Sequence, residues 1–280
     1  MTTKNGDIEI AYETFGSGGE PMLLIAPMGI ESRLSWHEDL CQALVDKGFH
    51  VARFDNRDGG LSSRVAPGKK YSLPEMAQDA VAVLDALGWS GAHLFGASLG
   101  GMIGQVMAVH HADRVRTLTS VAAGPSPQWR VCRPKLGVTL KVIGLGRKVG
   151  TGPDAAGDFM VKMLKIIGSP GYPLDEERIR AITRVYPDDQ AATMRHIAAM
   201  RRSGDRRPEL ARVTAPTLLL HGADDPLQSP HAAREVARAI PGARLVFYPG
   251  MGHDLPRELW PTMIDEIVAL TQFEGKPAAR

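Results

Sequence analysis

The residues best suited to chemistry are a serine, a histidine and a carboxylate whose surroundings share one feature, a tight turn after an apolar run. Leu94-Phe95-Gly96-Ala97-Ser98-Leu99-Gly100-Gly101 carries the pattern G-x-S-x-G between a predicted strand and a predicted helix. A chain turning sharply from strand to helix strains the serine backbone, and only small residues two positions to either side leave room. Gly96 and Gly100 meet that need. The turn lifts the Ser98 hydroxyl above the carboxyl ends of the strands, at a helix N-terminus, where the Leu99 N–H can face a developing oxyanion.

A serine hydroxyl is a weak nucleophile near neutral pH, so it needs a base within hydrogen-bond reach. Of nine histidines, His253 is best placed, in the glycine-flanked loop Pro249-Gly250-Met251-Gly252-His253 directly after the last predicted strand. Sheets of this kind put function at strand ends. His37, His110, His111, His196 and His231 fall in or beside predicted helices and His221 ends a strand, so each reads as a packing or surface residue. For the carboxylate, the strand Thr217 to His221 runs into Gly222-Ala223-Asp224-Asp225-Pro226, which offers two adjacent candidates. The preceding strand's end reads Ala122-Ala123-Gly124 and holds none. A second oxyanion donor is expected from Pro27-Met28-Gly29-Ile30. Gly29 is the choice, Met28 the alternative, and Pro27 is excluded because proline has no N–H.

The elements that must position these groups follow from periodicity. Ile8 to Thr14 alternates as an edge strand does, whereas Met22 to Ala26 and Ala92 to Gly96 read as buried strands, and Phe49 to Phe54, Val115 to Val121, Thr217 to His221 and Leu245 to Tyr248 continue the strand series. Helices are expected from Trp36 to Gly48, after the capping box Ser72/Glu75, over Met102 to His110, Pro230 to Ala239 and Glu258 to Thr271. Strands alternating with helices imply a mostly parallel, doubly wound α/β sheet. The rhythm breaks after Gly124 for nearly ninety residues rich in Gly, Pro, Met and Arg. We expect a core formed by residues 1–124 and 213–280, with 125–212 inserted as a helical cap. The tail after Phe273 is expected to fray.

At 280 residues, 44% hydrophobic and 23% charged, the chain has the composition of one large globular domain. Met1 to Asp7 lacks the apolar stretch of a secretory signal, and the longest apolar runs are far too short to cross a bilayer. Cys41 and Cys132 offer neither a disulfide framework nor metal-ligand spacing. A cytoplasmic protein with reduced cysteines is the expectation. The net charge of +2 hides an asymmetry: residues 125–212 carry 17 Lys and Arg against 9 Asp and Glu, about +8, and the remainder about −6. That basic excess is either a solvated face or a means of steering an anionic substrate. Leu140, Val142, Phe159, Met160, Met163 and Leu164 are candidates for an acyl pocket or for the insertion's own small core. No nucleic-acid recognition motif accompanies the basic segment.

Taken together these residues resemble the α/β-hydrolase superfamily, and more narrowly the single-domain esterases typified by aclacinomycin methylesterase. The resemblance rests on the serine motif, on Asp55-x-Arg57-Asp58-x-Gly60-x-Ser62 as a version of a D-x-R-G-x-G-x-S loop, on the Gly-x-x-Asp-Pro pattern ending at Asp225-Pro226, and on Pro249 to His253. It selects Asp225 over Asp224. It implies the α/β-hydrolase fold, cleavage of a small-molecule ester through an acyl-enzyme on Ser98, and no metal or organic cofactor. A thioesterase, a phospholipase or a cofactor-free perhydrolase would keep the same three residues, as would a non-catalytic receptor; dehalogenases and epoxide hydrolases use an aspartate where Ser98 stands. Pro27-Met28 departs from the His-Gly of many relatives. Whether the chain forms a homo-oligomer is left open.

Overall fold

The computed structural model describes residues 1–146, 154–185 and 190–272. The tail expected to fray lies outside them. Eight strands form one sheet: β1 (Thr2–Asn5), β2 (Ile8–Phe15), β3 (Glu20–Ile25), β4 (Phe49–Phe54), β5 (Ala92–Ala97), β6 (Val115–Val121), β7 (Thr217–Gly222) and β8 (Arg244–Tyr248). Their order is β1-β2-β4-β3-β5-β6-β7-β8. The pairs β1/β2 and β2/β4 are antiparallel and every other pair is parallel. This is the α/β-hydrolase fold with a mostly parallel sheet.

Alternation along the strands divides the core into two layers. Leu23 and Ile25 face the same side as Leu94, Leu118 and Leu219, covered by the helices Leu73–Ala86, Leu99–His110 and Pro230–Ala239. Met22 and Leu24 face the other side with Phe95, Leu218 and Leu220, covered by the helices Glu38–Val45 and Trp260–Gln272. Each fully buried aliphatic side chain contributes about 1.5–3 kcal/mol. Burial on both faces explains the unbroken apolar runs of the central strands.

Two local features go beyond the sequence reading. The polar N-terminus, assigned no element from sequence, forms β1, because Gly6 at φ 59° turns the chain back so that β1 pairs with β2. Trp36 does not open a long helix; it is fully buried between the short helix Ser32–Ser35 and Glu38–Val45. The expected capping contact at the Leu73–Ala86 helix is present, the Ser72 N–H donating to Glu75 Oε2 at 2.9 Å.

Between β6 and β7 the chain leaves the sheet, and its described residues form helices and no strand, the helices including Leu136–Gly146, Ala155–Ile167, Glu176–Val185 and Gln190–Ser203. Met160, Val161 and Ile179 make a small buried cluster there. Among the described residues no helix is long and apolar enough to cross a membrane.

Candidate active site

Ser98 stands between β5 and the Leu99–His110 helix with φ 51° and ψ −114°. Among the described residues only a few non-glycine positions have positive φ, a conformation sustained where the surroundings over-determine it. The glycines around it are required sterically. A Cβ on Gly96 would lie 2.3 Å from the Gly100 carbonyl oxygen, and one on Gly100 would lie 1.9 Å from that of Ile25. The turn is further held by the Ser98 N–H, which donates to Val121 O at 2.8 Å.

The tertiary structure brings the three expected side chains together. His253 Nε2 lies 3.0 Å from Ser98 Oγ, and its Nδ1 lies 2.7 Å from Asp225 Oδ2. An ionised carboxylate only accepts, so Nδ1 carries the proton and Nε2 is left to accept from the serine hydroxyl. Asp225 is held in turn: its Oδ1 accepts from the N–H groups of Leu227 and Gln228 at 2.8 and 2.9 Å. Asp224 points elsewhere and accepts from the Gly250 N–H at 2.9 Å. Burial works to lower the His253 pKa, but the charge of Asp225 and its hydrogen bond outweigh that and hold the imidazole above its ordinary value. Burial works to raise the Asp225 pKa, and the charge and hydrogen bond of His253 hold it below the usual carboxylate range instead.

The loop carrying His253 is braced from the helical insertion, which the sequence did not announce. The His253 N–H donates to Ile167 O at 2.9 Å and the Gly252 N–H to Ser169 Oγ at 2.8 Å. A Cβ on Gly252 would lie 2.1 Å from the Gly168 carbonyl oxygen, so the two loops are in backbone contact.

Gly29 differs from the expectation. Its N–H is engaged with His196 Nδ1 at 3.0 Å, so it is not free to meet an oxyanion. His196, read from sequence as a packing or surface residue, is fully buried and its Nε2 lies 2.8 Å from Arg57 O. A backbone N–H only donates and a carbonyl only accepts, so the ring is the neutral Nε2–H tautomer; burial holds its pKa below the ordinary value. The Met28 N–H has no partner among the described residues. Neither does that of Leu99, at the first position of its helix, where no intrahelical carbonyl can reach it.

Asp58 fills the place of a glycine in the D-x-R-G-x-G-x-S pattern and keeps a glycine-like φ of 66°. Its fully buried carboxylate accepts from Arg195 Nε and Nη2, both at 2.8 Å, from the Tyr71 hydroxyl at 2.6 Å and from the Val65 N–H at 2.8 Å. Arg195 and His196 are consecutive in the Gln190–Ser203 helix, so one turn of that helix grips two loops of the sheet.

Of the acyl-pocket candidates, Leu140 is exposed. Leu164 lines a cavity of about 360 Å³ that reaches Tyr172, Asp224, Pro226 and Asp254. Met160 lines another of about 190 Å³ beside Gly29 and Glu31. Both cysteines are buried and unbonded. No cluster of three or more His, Cys, Asp or Glu fit to hold a metal occurs among the described residues.

Comparison with known proteins agrees with this architecture. Residues 21–256 match the model of the alpha/beta hydrolase fold family. The chain is 30% identical over 295 residues to rhodomycin D methylesterase DauP of Streptomyces sp. (strain C5), covering 97% of both chains. It is 29% identical over 297 residues to rhodomycin D methylesterase DnrP of Streptomyces peucetius, covering 96% of both. Among solved structures, an enol-lactonase from Burkholderia xenovorans LB400 superposes with a TM-score of 0.75 at 22% identity, covering 97% of this chain and all of that one. By fold, by the extent of the family match and by its full-length relatives, this chain belongs to the α/β-hydrolase fold family.

Proposed function

We propose that this chain, a carboxylic ester hydrolase of its family, works through a covalent acyl-enzyme on Ser98. The observation that carries the reading is the continuous run of contacts Ser98 Oγ, His253 Nε2, His253 Nδ1 and Asp225 Oδ2, at 3.0 and 2.7 Å. In this reading Ser98 Oγ attacks the ester carbonyl while its proton passes to His253 Nε2. Asp225 fixes the ring and stabilises the imidazolium. The resulting oxyanion meets the N–H groups of Leu99 and Met28, the second chosen over Gly29 because the Gly29 N–H already serves His196. Collapse breaks the bond to the alkoxy oxygen, which leaves as alcohol with the proton from His253. Water then gives a proton to His253 and attacks the acyl carbon, and the acid is released as Ser98 regains its hydrogen.

Residues 125–212 act in this reading as a cap on a core formed by 1–124 and 213–280. The cavities that border the His253 and Gly29 loops have walls from both parts, as a substrate-selecting insertion requires. The two similar proteins named as methylesterases favour a small-molecule ester with a small alcohol portion.

The test is labelling by a fluorophosphonate probe together with turnover of methyl and p-nitrophenyl esters of graded acyl length. Label on Ser98, with turnover reduced by several orders of magnitude in Ser98→Ala, is expected. Labelling without turnover of any ester would favour a binding protein, and turnover that survives Ser98→Ala would remove the acyl-enzyme.

A further inference from the structure

The acid-free stretch of the chain coincides with an exposed apolar face. No Asp or Glu occurs between Arg114 and Pro153, a span that includes the helices Trp129–Cys132 and Leu136–Gly146. Trp129 and Leu136 are each 66% exposed, Leu140 61% and Ile143 49%. Positions 136, 140 and 143 follow the i, i+4, i+7 spacing, so the three aliphatic chains share one face of the helix. Isolated exposed apolar residues are ordinary on a surface; a row of large ones along one helix, with an exposed tryptophan in the helix just before it, is a contact face.

The charges that this segment itself carries are of one sign, and the nearest carboxylates in its cavity wall are Asp224 and Asp254 of the neighbouring loops. Arg130, Arg133, Lys135 and Lys141 are exposed, and none makes an ion pair with a described residue. Elsewhere in the same insertion several cations do have acidic partners: Lys165 with Glu176, Arg180 with Asp158, Arg184 with Asp154, Arg207 with Asp205. A helix with leucine and isoleucine outward, an exposed tryptophan shortly before it in the chain and unneutralised cations on the same segment fits the boundary between acyl chains and anionic headgroups. A second copy of the chain fits poorly, because a two-fold contact through this face would set the cations against their own images.

The face has a fixed relation to the site. The Lys135 N–H donates to Pro226 O at 2.9 Å and the Ser229 N–H to Cys132 O at 2.9 Å, which ties the segment to the loop of Asp225. Lys135 and Val138 also line the cavity of about 360 Å³ that reaches Asp254, next to His253.

We propose that Trp129 and the outer face of the Leu136–Gly146 helix form an interfacial anchor that seats the protein on an anionic lipid bilayer, with the cavity beside His253 opening near the membrane surface. Flotation of the full chain with phosphatidylcholine vesicles and with mixed phosphatidylcholine–phosphatidylglycerol vesicles tests this directly. Binding at least about 10-fold tighter to the anionic vesicles is expected, weakening as salt is raised. Leu136→Ser combined with Ile143→Ser, and separately Trp129→Ser, should each reduce that binding about 10-fold, while circular dichroism and turnover of a water-soluble ester stay at the wild-type level. Lys135→Glu with Lys141→Glu should abolish the preference for anionic over neutral vesicles. Equal binding of wild type and variants overturns the anchor. So does a concentration-dependent dimer that the same substitutions dissolve without any vesicle binding, or capture by a DNA duplex in place of vesicles. The binding readout needs no turnover, so it fails or stands apart from the acyl-enzyme reading.

Discussion

The backbone N–H of Gly29 donates to Nδ1 of His196 across 167 residues of sequence, so a helix of the insertion decides how the loop after β3 is oriented. The other ring nitrogen faces Arg57 O, and Thr193 closes the remaining space: a Cβ on Gly29 would lie 2.1 Å from Thr193 Oγ1. With the Gly29 N–H turned toward His196, the neighbouring Met28 N–H has no partner among the described residues.

Replacing His196 separates its two contacts. In His196→Asn the amide oxygen stands near the position of Nδ1 and still accepts from Gly29; in His196→Gln the longer side chain serves Arg57 and abandons Gly29. If orientation of the Met28–Gly29 loop matters for turnover, kcat falls on the order of 10-fold in His196→Gln and less in His196→Asn, with KM little changed. Equal kcat in both variants and wild type would show that the contact is structural only.

The Asp58–Arg195 pair should hold the insertion to the sheet. Asp58 is fully buried, and Arg195 is its bidentate cationic partner. Arg195→Met leaves the carboxylate buried with only Tyr71 and Val65, at a cost of about 3 kcal/mol in denaturant unfolding. Asp58→Gly is expected to cost less, because glycine adopts a φ of 66° without strain and removes the stranded charge. A larger loss for Asp58→Gly than for Arg195→Met would contradict this ordering.

If His253 is the base of the proposed acyl-enzyme route, the acidic limb of kcat/KM reports its free imidazole. Because Asp225 raises that imidazole's pKa, activity should increase with pH through a midpoint above 6.5, the ordinary value. Asp225→Asn removes the charge and the charge-assisted hydrogen bond, leaving burial opposed only by the lesser contribution of Asp254. The midpoint should then move to lower pH while kcat drops by about 10⁴-fold. An unchanged midpoint in that variant would separate His253 from the titration.

His93 should make folding sensitive to acid. It is buried on β5 with Nδ1 2.9 Å from Thr117 Oγ1, and burial lowers its pKa from 6.5 to about 4. Between those values the unfolded chain binds the proton and the native one does not, so stability is complete above pH 6.5 and is lost as the pH falls toward 4. The loss attributable to this residue is up to about 3 kcal/mol. Denaturant midpoints measured across that window should flatten in His93→Asn; a slope equal to wild type would assign the acid sensitivity to other groups.

Much of this was legible locally. The turn at Ser98 is written in Gly96 and Gly100, since their neighbours lie too close for any Cβ. Strand positions followed from apolar runs, because a strand buried on both faces has no polar side to interrupt it. Asp225 and His253 could be nominated because each follows a strand within a turn of its own. Residue type and turn position did not separate Asp224 from Asp225, which only the resemblance to a known pattern ranked; they differ in the direction the turn gives them, one meeting the Gly250 N–H and the other His253. Nor did it reveal His196, whose partners are backbone atoms of Gly29 and Arg57 that leave no mark on residue type. Sequence determined which residues can react and which turns carry them, because propensity and steric demand act over a few residues. Tertiary structure alone decided where the helices between β6 and β7 settle, and therefore that the Gly29 N–H is taken by His196, because that choice depends on a contact between segments more than a hundred residues apart.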